Sequence, residues 1–180
     1  MAALALARSS ALVPLLRQRL ADDRAWAQSF TEGAVGIAPF RLHLAVFIEP
    51  FLSYVLEGKK TIESRFSRHP IAPYRTVSAG DVVLMKVSGG PIVGVTRIGE
   101  VWNYELDPAT WRKIRHEYAD ALCALDPHFW AARSAARYAT LMALEAVSAI
   151  DPLPFRKRDR RGWVVLDEPS QEELWRAPRA

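Results

Sequence analysis

The chain has 180 residues, half of them hydrophobic, with a net charge of +4. That length suits one domain with an extension, and the mild basic excess permits nucleic-acid contact without requiring it. Cys123 is the single cysteine, which excludes an internal disulfide and the multi-cysteine zinc sites; His43, His69, His116 and His128 have no ligand spacing, so no metal and no cofactor are expected.

Residues 1–16 are apolar and small, with one charge at Arg8. They lack the positive start and cleavage site of a signal peptide, and no apolar run approaches the ~20 residues of a membrane span, so a cytoplasmic protein without membrane contact is expected. The pattern predicts an amphipathic helix from about Ser10 to Phe30, packing Leu12, Leu15, Leu16, Leu20 and Trp26 on the domain. Thr31 to Pro39 reads as a linker. Leu42 to Ile48 reads as a strand buried on both faces, with His43 as its polar exception. Pro50 suits a first helical position, Phe51, Leu52, Val55 and Leu56 recur at helical intervals, and Gly58 supplies a left-handed stop.

After Gly58 the period changes to that of a strand. Thr61, Glu63 and Arg65 alternate with Ile62, Ser64 and Phe66, giving one polar and one apolar face. Lys60 sits at the turn, where strand parity is not yet fixed. Phe66 to Ala79 has no periodicity. Its Arg68, His69, Tyr74 and Arg75 suit a rim that meets phosphate or a base, and a solvated crossing fits equally well.

Asp81 to Val87 and Ile92 to Trp102 read as strands joined by the turn Ser88-Gly89-Gly90-Pro91, with Gly94 and Gly99 marking bulges. Asp107-Pro108 and Asp126-Pro127 are helix starts, the second helix running to about Arg137. Thr140 to Ile150 suits helix or strand by propensity, and Asp151-Pro152-Leu153-Pro154 is expected to break it. Arg156, Lys157, Arg158, Arg160 and Arg161 form a basic loop around Asp159. That loop is either plain solvated surface or a phosphate contact, flanked by Phe155 and Trp163 as possible stacking surfaces. Trp163 to Leu166 is a closing strand, and a polar tail follows.

Residues two apart on a strand stand about 6.6 Å apart on one face, so Glu63 and Arg65 can interact. One reading is an ion pair that only closes a barrel mouth. The other is a polar cleft floor, in which Arg65 holds Glu63. There a partly desolvated Lys60 loses its proton near neutral pH and acts as a base, with Glu63 passing the proton on.

The segment Gly58-Lys59-Lys60-Thr61-Ile62-Glu63-Ser64-Arg65, after its short helix, resembles the signature of ASCH domains in the PUA-like superfamily, roughly Gly-x-Lys-Thr-[Ile/Val]-Glu-x-Arg. Ala79-Gly80-Asp81-Val82-Val83 resembles the family's Gly-Asp strand entry. The resemblance implies an α+β fold: a small mixed β-barrel of five or six strands, with peripheral helices and a helical insertion between about Asp107 and Arg137. It tips the 140–150 segment to strand, at least from Leu144. The implied organisation is a helical extension and linker over 1–40, the ASCH domain over 41–168 and a tail over 169–180.

The resemblance also implies a cleft that binds RNA or a modified nucleoside, lined by Lys60, Thr61, Glu63 and Arg65, with Arg68 and Tyr74 as further ligand contacts. Some small members are amidohydrolases of N4-acetylcytidine, whose catalytic lysine corresponds to Lys60. Their catalytic threonine falls where this chain has Glu63, and their catalytic glutamate has only Glu100 or Glu105 as candidates. Another member cuts RNA. A binding module and an amidohydrolase are therefore the two readings carried forward, with a ribonuclease third. Nothing in the sequence sets an oligomeric state.

Overall fold

In the computed structural model, residues 12–27, 29, 40–156 and 160–166 are described. A first helix, α1, covers 12–19. The ordered elements that follow are β1 (Leu42–Phe47), α2 (Phe51–Leu56), β2 (Ile62–Ser67), β3 (Val82–Val87), β4 (Ile92–Glu105), α3 (Pro108–Tyr118), α4 (Pro127–Ala131), β5 (Tyr138–Leu153) and β6 (Trp163–Val165). The strands form one six-stranded sheet in the order β2-β5-β4-β3-β1-β6. Only β1 and β3 pair in parallel; the other neighbours are antiparallel.

The sheet curls because β4 carries register shifts between Ile92 and Gly94, Val95 and Arg97, and Ile98 and Val101. Extra residues on one strand bend it and increase its twist. Both glycines read as bulge markers lie in these stretches. At Gly94 a Cβ would come within 2.7 Å of the Met85 methyl and 3.2 Å of the Ser148 carbonyl oxygen, so glycine eases the close approach of β3, β4 and β5 here.

Curling leaves the sheet an inner and an outer face. On the inner face Ala45, Phe47, Val83, Met85, Ile98, Met142 and Trp163 pack together, capped by Leu52 and Val55 of α2. The outer face is covered in two places. Leu12, Leu16, Leu20 and Trp26 pack over β1, β3, β4 and β5, and the Trp26 indole donates to the Ala146 carbonyl at 2.8 Å. Leu15, expected in that contact, is 37 % exposed. The helical insertion packs Ile114, Leu122, Phe129 and Trp130 over Ala139 and Leu141 of β5.

Both helix starts of the insertion form as the sequence dictates. The Asp107 carboxylate accepts from Thr110 N at 2.6 Å and Asp126 accepts from His128 N at 2.8 Å. Four boundaries differ from expectation. Among the described residues the first helix covers 12–19 and gives way to turns instead of reaching Phe30, and β4 runs on to Glu105 instead of ending at Trp102. The helix from Pro127 ends at Ala131 rather than near Arg137, and β5 starts at Tyr138 and runs on through Asp151 and Pro152 to Leu153. Pairing with β2 and β4 overrides the propensity of an alanine-rich run, and Pro152 sits in a stretch where Ile92 pairs with Leu153. The α+β half-barrel with a helical insertion is otherwise the expected one.

Candidate functional site

The strands β2 and β6 are the two edges of the sheet, and a side chain spans the seam between them. Arg65, on β2, donates to the carbonyl of Val46 on β1 at 3.1 Å and to that of Gly162, next to β6, at 3.2 Å. Its guanidinium lies 5.2 Å over the Phe47 ring and 5.4 Å over that of Trp163. A planar cation suits this place because it stacks on rings while its edge reaches carbonyls.

Glu63 precedes Arg65 by two residues and shares its inward face, while Ile62 and Phe66 pack against the insertion on the outer face. The Glu63 carboxylate is buried, with Oε1 3.0 Å from Arg65 Nε. Its other oxygen, Oε2, is 3.5 Å from Lys60 Nζ and has no hydrogen-bond partner among the described residues.

The structure settles the direction of Lys60. Gly58, at φ 72°, turns the chain so that Lys60 folds inward, and the residue is 3 % exposed. Nζ donates to the carbonyl of Ile62 at 2.6 Å and of Leu122 at 3.3 Å, and lies 5.7 Å over the Phe51 ring. Burial pushes the Lys60 ammonium below its usual range, and the Glu63 carboxylate counters that shift. Two of the three N–H donors of this ammonium are used by those carbonyls, and the Glu63 carboxylate stands 3.5 Å away as an ion-pair partner. Lys59 is solvated and pairs with Glu57 at 2.6 Å.

These residues bound a cavity of about 270 Å³ at the seam. Lys60, Glu63 and Arg65 give its polar side; Phe47, Phe51 and Phe129 give aromatic walls, and Arg133 stands at the edge. The Arg133 guanidinium sits 3.6 Å over the Phe129 ring and donates to the Phe129 carbonyl at 2.6 Å; burial pushes it below its usual range, with Glu63 opposing that shift. Across Arg65 lies a smaller cavity of about 180 Å³, lined among others by Ile71, Tyr74, Thr140 and Trp163.

Lys60, Glu63 and Arg65 are thus brought together as the sequence pattern anticipates. Tyr74 belongs to the second cavity, and its ring lies 4.9 Å from that of Tyr138. Thr61 is exposed and takes part through its backbone, Thr61 N donating to the Ala121 carbonyl at 3.0 Å. Arg68 is exposed and lines neither cavity. Glu100 and Glu105 are also outside both, Glu105 pairing with Arg75 at 3.7 Å. Of the basic loop, Arg156, Arg160 and Arg161 are exposed, whereas Lys157 and Arg158 lie outside the described residues. Trp163 is a core side chain whose indole donates to His43, rather than a flank of that loop.

Sequence reading missed Arg133 and Phe129 as site residues. Their spacing of four, from α4 into the turn that follows it, places a cation over a ring, a legible local signal. That the pair meets β2 is a tertiary fact. Among the described residues no group of three His, Cys, Asp or Glu is placed to hold a metal, and no helix is long and apolar enough to cross a membrane.

The curled six-stranded mixed sheet has the fold of solved ASCH structures. The chain is similar to the crystal structure of ASCH from Zymomonas mobilis, with a TM-score of 0.56 at 12 % identity over 75 % of this chain and 92 % of that one. Two mutant forms of that protein match at TM-scores of 0.56 and 0.55, each at 13 % identity. No family model matches the chain, and a search of curated proteins finds no match.

Proposed function

We propose that this ASCH-type module binds single-stranded RNA or a modified nucleoside by taking a base into the seam cavity. The observation that carries this reading is Glu63 Oε2: a buried carboxylate oxygen that is ion-paired with Lys60 at 3.5 Å but has no hydrogen-bond partner among the described residues, beside an aromatic-walled cavity. A buried polar atom left unpaired costs about 1–3 kcal/mol, so such an atom marks where a partner is due. A carboxylate only accepts, and the partner it selects is an N–H donor such as the exocyclic amine of cytosine. Unstacked bases are recognised in this way, by edge hydrogen bonds and by stacking on aromatic rings. A volume of about 270 Å³ lies just under the range of pockets for drug-sized ligands, which suits one base with part of its sugar.

A second reading, an amidohydrolase of N4-acetylcytidine-type nucleosides with Lys60 as base, is favoured by the downward shift of Lys60. Its hydrogen bonds argue the other way. A neutral amine would spend both N–H groups on the Ile62 and Leu122 carbonyls and turn its lone pair toward Glu63, not toward a substrate. The ammonium keeps both carbonyl bonds and pairs with the Glu63 carboxylate, so Lys60 is assigned to positioning Glu63.

Calorimetric titration of the four ribonucleosides and of short single-stranded RNA tests the binding reading, with Lys60→Ala and Glu63→Gln alongside. Wild type is expected to bind and both variants to lose at least tenfold in affinity; equal affinity in all three proteins removes the site. Chromatography of N4-acetylcytidine after incubation tests the other reading. Conversion to cytidine by wild type, and not by Lys60→Ala, would replace binding with hydrolysis as the function.

A further inference from the structure

The geometry points to a second ligand subsite, the cavity on the far side of Arg65, so that the seam holds two consecutive nucleotides rather than one nucleoside. This inference rests on the reading of the first cavity as a base site.

Three observations carry it. The two cavities are contiguous across Arg65 and Phe66, which line both. The second contains its own unpaired polar group: Tyr74 is 7 % exposed, and its hydroxyl has no hydrogen-bond partner among the described residues. It therefore repeats the feature that marks Glu63 in the first. Finally, each cavity has an exposed aliphatic side chain at its lining. The described residues expose four large hydrophobics, Leu15, Ile48, Ile71 and Leu125; Ile48 belongs to the first cavity and Ile71, at 60 %, to the second. Exposed apolar side chains scattered singly need no explanation, but one beside each of two adjoining cavities suits a face that covers a ring.

The chemistry of the occupant follows. At about 180 Å³ the second cavity takes a single ring or a sugar, not a whole nucleoside. A phenol both donates and accepts, so Tyr74 suits any base edge or a 2′-hydroxyl and is less selective than Glu63. Between the two lies a guanidinium, the group best matched to a phosphate oxygen. Arg65 has five N–H donors, of which the Val46 and Gly162 carbonyls engage two while Nε forms an ion pair with Glu63, leaving capacity on the terminal nitrogens. Gly162, which lines the second cavity, directly follows Arg160 and Arg161, so the chain of phosphates leaving that subsite would meet a basic loop.

The test compares affinities for the four ribonucleosides with those for the sixteen dinucleoside monophosphates, in wild type, Tyr74→Phe and Ile71→Ser. Tyr74→Phe keeps the ring against Tyr138 and removes only the hydroxyl. The best dinucleoside monophosphate is expected to bind wild type at least tenfold more tightly than its better nucleoside component. In Tyr74→Phe that ratio is expected to fall by about fivefold to tenfold, the size of one hydrogen bond, and in Ile71→Ser by a few-fold. Nucleoside binding without any dinucleotide advantage overturns the second subsite while leaving the first intact. A dinucleotide advantage that both variants retain also overturns it, since the added affinity would then come from elsewhere. Binding of neither class removes the base-site reading and this inference with it.

Discussion

Two polar groups are buried inside the same half-barrel, and they are finished differently. In one, Asp81 accepts from Arg41 N at 2.8 Å, from Ser78 N at 2.8 Å and from His43 Nε2 at 3.0 Å. An indole N–H can only donate, so Trp163 Nε1, 3.1 Å from His43 Nδ1, fixes the tautomer with the proton on Nε2. Each polar atom in this group has a partner. In the other, the Glu63 carboxylate is ion-paired with both Lys60 and Arg65, yet its Oε2 is left without a hydrogen bond beside a cavity. Burial and charge do not separate scaffold from site here, since both groups have both. What separates them is completeness. A satisfied network fixes a core, and an unsatisfied one is kept for a ligand.

The comparison is broken most forcefully at Asp81. Asp81→Ala strips the acceptor from the buried His43 and from two part-buried backbone N–H groups, and we expect a loss of about 3 kcal/mol in urea unfolding. A loss below about 1 kcal/mol would deny the network its structural role. Glu63→Gln is expected to cost less, about 1–2 kcal/mol, although deleting one member of a buried ion pair can cost 3–5. Lys60 keeps two carbonyl acceptors and Arg65 keeps two more, so neither cation is stranded. If Glu63→Gln is the more destabilising of the two, the contrast between scaffold and site is inverted.

Acid probes the Asp81 network further. Burial pushes the Asp81 carboxyl up, but hydrogen bonds from His43 and from the Arg41 and Ser78 backbone outweigh it and hold the group below its ordinary 3.8. The unfolded chain then takes up the proton first as pH falls. Asp81 therefore contributes stability that is complete above the unfolded value, declines as pH drops below about 3.8, and is gone below the folded value. Thermal melts between pH 5 and pH 2 are expected to fall less steeply for Asp81→Asn than for wild type; parallel curves would contradict the linkage. The smallest effect calibrates the others. Asp107→Ala removes a helix cap distant in sequence from both groups, with an expected cost of about 1 kcal/mol and no change in ligand affinity.

Local chemistry explains which parts of this molecule the sequence discloses. The helix before Gly58, the aspartate caps, the glycine bulges and the two-faced strand are each set by a few adjacent residues, and all are present. Lys60 needed the turn geometry of Gly58 to fix its direction. The long β5 was ambiguous because alanine-rich segments have weak preference, and its strand pairing comes from β2 and β4. His43 was visible as a polar residue in an apolar strand, but its partners lie 38 and 120 residues away. Arg133, Phe129 and the second cavity likewise depend on contacts between elements far apart in the chain.

Titration of cytidine against uridine tests the central claim most directly, because the two differ at the atom Glu63 would address, an amine in one and a carbonyl in the other. The account predicts that wild type binds cytidine at least tenfold more tightly than uridine, and that Glu63→Gln, whose amide can donate as well as accept, loses most of that preference. Equal affinity for the two nucleosides in wild type, or a preference that persists undiminished in Glu63→Gln, would contradict it.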